Sequence, residues 1–125
     1  MTQTTARGFG IVFLLIGVLG LVTIPFSMTS ELLLGLFPVN VLHNLVHLAF
    51  GGWGLVASGT PDGATVYCRI GGIAYLTLAV VGVLTPTGFG LVPLGGHDIW
   101  LHAVLGGVLT AVGFLDRPSP ATTRR

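Results

Sequence analysis

Four side chains in this sequence could hold a metal ion or move a proton: His43, His47, Asp98 and His102. They form two pairs spaced four residues apart, so on helices the members of each pair lie on one face, about one turn apart. Three imidazole nitrogens and one carboxylate suit zinc or another first-row ion such as iron or manganese. His47 and His102 alone could instead act as the axial pair of a haem held between two helices. With no cofactor, the same groups and the amides of Asn40 and Asn44 would form a hydrogen-bonded network. His102 or His47 would then bond to Asp98 and Asn44, each such bond inside a membrane being worth about 0.6 kcal/mol. The HExxH pattern of zinc proteases is missing, so the network leads and the metal and haem readings are its rivals.

The elements that carry these residues are written twice. LGLFPVNVLHNLVHLAFGG at 34–52 aligns with FGLVPLGGHDIWLHAVLGG at 89–107, setting Pro38 over Pro93, His43 over Asp98, His47 over His102 and Gly51-Gly52 over Gly106-Gly107. RGFGIVFLLIGVLG at 7–20 aligns with RIGGIAYLTLAVVG at 69–82, with Gly10 over Gly72 and Phe13 over Tyr75. The second alignment has an offset of 62 residues and the first an offset of 55, so the first inter-helix connection is seven residues longer. A cleaved leader would have no reason to match a mature helix, which argues against reading the first apolar run as a secretory signal. An even number of crossings separates the copies, so they are parallel repeats about an axis along the membrane normal.

Composition sets the solvent. Hydrophobic residues make up 52% of the chain and charged ones 7%, against roughly a quarter charged in soluble domains. Apolar stretches at about 8–24, 41–57, 64–84 and 98–115 approach the ~20 residues needed to cross hydrocarbon. None alternates as a barrel strand would. The fold expected is an all-α membrane protein: one domain over 1–115, four transmembrane helices built from two tandem helix-pair repeats, and a polar tail at 116–125. Pro25 ends the first helix, and Thr60 with Pro61 starts the third. All five basic residues are arginines, and Arg7, Arg69, Arg117, Arg124 and Arg125 fall on one side of a four-span layout. By the positive-inside rule that side is cytoplasmic, with both termini on it in a multi-pass cell-membrane protein. Arg69 would snorkel to the headgroups.

On the second helix His43, His47 and Gly51 fall at about 0°, 40° and 80°, with Asn40 and Asn44 near 60° and 100°. The fourth repeats this with Asp98, His102 and Gly106. Such arcs must face the bundle interior, which points them at each other and sets Gly51 and Gly106 at the contact between the second and fourth helices. ELLLGLF, before Pro38, is too apolar for water and too short to span; Ser30 could cap a short turn there, and the segment lies in the interface or folds back. Trp100 and Tyr67 read as interfacial anchors, Trp53 and the lone Cys68 as packing residues, and His97 as a solvated loop residue. Phosphate loops, nucleophile elbows and a basic surface for nucleic acid are all missing from the sequence.

GLFPVNVLHNLVHLAFGG at 35–52 and GLVPLGGHDIWLHAVLGG at 90–107 resemble the small bacterial membrane proteins of the domain of unknown function 4383 family. With the helix before each motif, the likeness covers nearly the whole chain. It implies a four-helix membrane protein and brings no established activity. The family pattern often has Asn before the tryptophan of the second motif; here that residue is Ile99, while Asp98 and His102 stay in place.

These observations favour a non-enzymatic accessory or interaction protein of the bilayer, with a membrane-protein partner or a second copy of itself. A metal- or haem-binding redox protein is the first alternative, and a proton or small-solute carrier the second.

Overall fold

The computed structural model describes residues 1–24 and 26–116. Pro25 and the arginines of the tail, Arg117, Arg124 and Arg125, lie outside the described residues. Four helices run in chain order: α1 Thr2–Thr23, α2 Val41–Ala57, α3 Pro61–Leu84 and α4 His97–Leu115. α1, α3 and α4 are long and apolar enough to cross a membrane, and α2 is a shorter apolar helix. Their outward surfaces carry large exposed hydrophobics such as Leu15, Val18, Ile73 and Val80, as expected where lipid rather than water is the solvent.

α1 begins at Thr2, well before the apolar run at Gly8. The polar first turns are helical because the rest of the bundle holds them. Ala6 is in the core, the Gln3 amide donates to the Ser58 carbonyl at 3.1 Å, and the Thr2 N–H donates to Asp116 at 2.9 Å. The N-terminal amine lies on the same carboxylate, and this bond together with that of the Thr2 N–H keeps Asp116 below the usual carboxylate range. Thr60 caps α3, accepting from the Gly63 N–H at 3.1 Å, and Pro61 takes the first turn, where a missing N–H costs nothing.

The long first connection folds back as a hairpin of β1 Glu31–Leu33 and β2 Phe37–Val39, antiparallel with Leu32 opposite Pro38. Ser30 therefore leads into a strand and caps no helical turn. The helical bundle thus carries one small strand pair that the apolar, non-alternating sequence did not signal. Leu33 and Val39 are buried, and the turn between the strands carries left-handed backbone at Leu34 and Gly35. The shorter second connection makes one 3-10 turn at Gly88–Gly90 and is closed by Leu94 N–H donating to the Pro86 carbonyl at 2.9 Å.

α1 packs along α2 and α3 along α4, and the two pairs meet mainly through α1 against α3 and α2 against α3. Glycines set the approach within each pair. A Cβ at Gly51 would lie 2.7 Å from Leu14 N and 2.9 Å from Gly10 O; one at Gly106 would lie 2.7 Å from Leu76 N and 3.0 Å from Gly72 O. This corrects the expected contact between α2 and α4, whose backbones hardly meet. The wheel angle places a glycine on the buried side of its helix but does not say which neighbour lies there; here the backbones of α1 at Gly10 and α3 at Gly72 do.

The centre is aromatic. Phe13, Tyr67 and Tyr75 are buried, with Phe50 and Trp53 packed against them. Tyr67 is fully buried, 4.8 Å from the Phe50 ring and 4.9 Å from Trp53, so it is a core residue rather than an interfacial anchor. It shares a face of α3 with Tyr75, and that face looks into the bundle. Arg69 departs from free snorkelling: its Nε donates to the Gly113 carbonyl at 2.7 Å and its guanidinium lies 4.9 Å from the Phe114 ring centroid. Carbonyls in the last turn of α4 lack helical partners, and a cation there is favourable. Cys68 is buried.

Gly51→Leu and Gly106→Leu should each lower stability by about 1–3 kcal/mol or more through overpacking. Gly52→Leu and Gly107→Leu, where a Cβ meets nothing within 4 Å, should be near neutral. Unfolding of the four variants in one detergent checks this, and equal tolerance at 51 and 52 would refute the packing described.

Candidate functional site

The site is built on the first turns of α2 and α4. Asn40 starts α2: its side-chain oxygen accepts from the His43 N–H at 2.9 Å, meeting one of the donors a helix start leaves unpaired. The amide nitrogen of Asn40 donates to the Met28 carbonyl at 3.1 Å and the Leu91 carbonyl at 2.8 Å. One residue therefore ties the helix to both connections. α4 starts after Gly96, whose φ of 62° suits glycine, and it carries Asp98 in its first turn, where a carboxylate is favoured by the helix dipole.

His43, Asp98 and His102 are each only 3% exposed, and His47 is 9% exposed. His43 Nδ1 lies 3.8 Å from Asp98 Oδ2, beyond hydrogen-bond length. One donor atom from each of His43, Asp98 and His102 fits in a group no more than 4.8 Å across. Around a metal with bonds of ~2.1 Å the donors would sit roughly 3.0–3.5 Å apart, so small side-chain rotations would close the set.

His47 stands beside this group. Its ring is 4.6 Å from that of His43 and stacks on Phe13 at 5.6 Å. His102 lies 5.3 Å from Tyr75, and Phe13 stacks on Tyr75 at 5.4 Å. Phe13 and Tyr75 are members of the site that its polar pattern did not reveal. The one signal for them was that Phe13 and Tyr75 fall opposite each other when 7–20 is aligned with 69–82. Asn44 turns elsewhere, toward α1, where a Cβ on Gly20 would collide with its amide. Gly51 and Gly106 lie outside the site, in the helix-pair contacts. His97, at the start of α4, accepts from the Trp100 indole N–H at 3.1 Å.

Of the described residues, Tyr67 and Thr110 also carry a buried hydroxyl without a partner, but at this cluster several such atoms come together. Among the described residues, His43 Nδ1, His47 Nδ1, His102 Nδ1, Asn44 Oδ1 and Asp98 Oδ2 are all buried with no hydrogen-bond partner. Buried polar atoms in folded proteins are nearly always satisfied, and exceptions gathered together, as at His43, Asp98 and His102, ask for a ligand, ion or water.

The family model described as "Domain of unknown function (DUF4383)" matches residues 3–115, and the chain belongs to that family. No curated protein and no solved structure matches the chain.

Asn40→Ala removes a helix cap and two bonds to the connections, and should cost about 2–4 kcal/mol. Asn40→Asp keeps the cap acceptor but sets a buried carboxylate oxygen against the Met28 and Leu91 carbonyls, so it should be at least as destabilising as alanine. Chemical unfolding in detergent measures both; an alanine variant as stable as wild type would show that the three bonds do not hold the site.

Proposed function

We propose that this member of the DUF4383 family is a four-span membrane protein that binds one divalent first-row metal ion, of the zinc or iron class, through His43, Asp98 and His102. The observation that carries this reading is the set of buried donors without partners, gathered within 4.8 Å. Two imidazoles and one carboxylate form a ligand set that leaves coordination positions open for a water or a substrate. A bridging network without an ion is less well supported, because bonds from His102 or His47 to Asp98 or Asn44 are not formed among the described residues. A haem between His47 and His102 has little to favour it: Phe13 and Tyr75 lie against those rings, and the His43 ring is 4.6 Å from His47 and 6.2 Å from His102. The role of accessory subunit is compatible with a bound ion that locks the two helix pairs together.

The tandem repeat belongs to the same reading. Gly51 meets Gly10 and Leu14 as Gly106 meets Gly72 and Leu76, and each residue of the first set aligns with its counterpart in the second. His43 faces its own aligned residue Asp98, and Phe13 stacks on its aligned residue Tyr75. A pseudo-twofold axis between those two pairs accounts for both. α2 has 17 residues, or about 25 Å of helix, enough to cross hydrocarbon if the bilayer thins slightly.

Reporter fusions test the topology. Positive charge at Arg7 and Arg69 predicts a cytoplasmic signal from a fusion within 59–63 and an external one within 85–95; the reverse pattern would overturn the orientation.

Elemental analysis of protein purified without chelator tests the ion. About one metal per chain is expected, lost in His43→Ala, His102→Gln and Asp98→Ala but largely kept in His47→Gln. At a hundredfold excess over Kd the ion should also stabilise the wild type by about 2.7 kcal/mol. Wild-type protein without stoichiometric metal would end the reading.

A further inference from the structure

We propose that the cleft between α1 and α4 is a binding site for a membrane-dissolved aromatic alcohol: a single phenol-type ring with a short apolar chain. The cleft has a volume of ≈ 270 Å³. Phe9 and Val12 of α1 and Leu101 and Leu105 of α4 line its sides, the hairpin roofs it through Leu33 and Phe37, and His47, Tyr75, Asp98 and His102 form its back wall.

The cleft exists because two aligned positions differ in size. On the opposite side of the bundle, between α2 and α3, Phe50 fills the space, its ring tip against Gly71 and its ring packed on Tyr67 and Tyr75, with Trp53 beside it. The residues aligned with Phe50 and Trp53 are Leu105 and Val108. Smaller side chains leave the α1–α4 side open, and the longer first connection supplies a roof that the second connection does not.

Size and polarity together select the ligand. A dry cavity of about 150 Å³ takes benzene, so ≈ 270 Å³ takes one ring plus a short chain. Phe9, Phe13, Phe37 and Tyr75 offer ring faces and edges for stacking. At the back, the His47 imidazole lines the otherwise apolar cleft, and its Nδ1 is without a partner. A hydroxyl can either donate to or accept from imidazole, so it suits His47 in either tautomer. A lipid acyl chain would leave His47 unmet. The mouth is rimmed by exposed Val12 and Leu34 on the apolar exterior, so the ligand arrives through the bilayer rather than from water. The cleft shares Asp98 and His102 with the proposed ion, but His47, the partner for the hydroxyl, is outside the three-donor group, and His43 does not line the cleft.

Equilibrium dialysis of full-length protein in phosphatidylcholine nanodiscs, against empty discs of the same lipid, tests this with 4-butylphenol and butylbenzene. The phenol should bind roughly tenfold more tightly than the hydrocarbon. His47→Leu should shrink that preference severalfold and His47→Gln should restore part of it. Leu105→Phe, which fills the cleft as Phe50 fills its counterpart, should abolish binding of both compounds. His43→Ala should lose metal and keep the phenol, separating this site from the ion. Equal binding of the two compounds to wild type, the behaviour of a plain acyl-chain groove, would overturn the proposal. Undiminished binding in Leu105→Phe, or loss of phenol binding in His43→Ala, would do the same.

Discussion

Everything in this bundle depends on how closely two helix backbones can approach within each pair. In lipid, burying another leucine gains little, because the surroundings are as apolar as the side chain; contact density and hydrogen bonds must hold helices together instead. Gly10 against Gly51, and Gly72 against Gly106, provide that density. Once α1 is clamped to α2 and α3 to α4, the backbones of α2 and α4 are left apart. Only side chains with reach can bridge the space between them. Imidazoles, a carboxylate and two aromatic rings occupy it, and the polar cluster is there because the glycines are elsewhere.

Much of this was readable in the sequence, and the parts that were not failed for definite reasons. Helix positions followed from apolar runs, although α1 extends through polar Thr2 to Arg7 because tertiary contacts, not hydropathy, hold that turn. The nearness of His43 to Asp98 could be anticipated from their aligned positions. The partners of Gly51 and Gly106 could not be, since a helical wheel gives a direction within one helix and says nothing about which neighbour lies there. The hairpin was hidden in an apolar stretch without alternation, and its strands are only three residues each. Tyr67 was misjudged because a tyrosine near a helix end suits both an interface and a core, and only packing against Phe50 and Trp53 decides between them.

The cluster is held against its own tendency to escape burial. Each buried polar atom without a partner costs about 1–3 kcal/mol, and five of them lie in or beside this group. A framework clamped at glycines and filled with stacked rings can carry that burden, since neither helix can rotate its polar arc toward lipid without breaking close contacts. Rigidity of the pairs and polarity of the centre are therefore linked: the first makes the second tolerable.

Asn40 joins the roof to the site in a way that also governs motion. Its amide holds both connections, through Met28 and Leu91, while its oxygen holds the N–H of His43. Lifting either connection strains the residue that starts α2, so the two segments and the first helical turn form one cooperative opening unit of the kind that amide exchange resolves. Exchange at His43 should then keep pace with that of the loops rather than with the deeper helix. Access and assembly are coupled through this one residue: any opening of the roof would loosen the turn that carries His43.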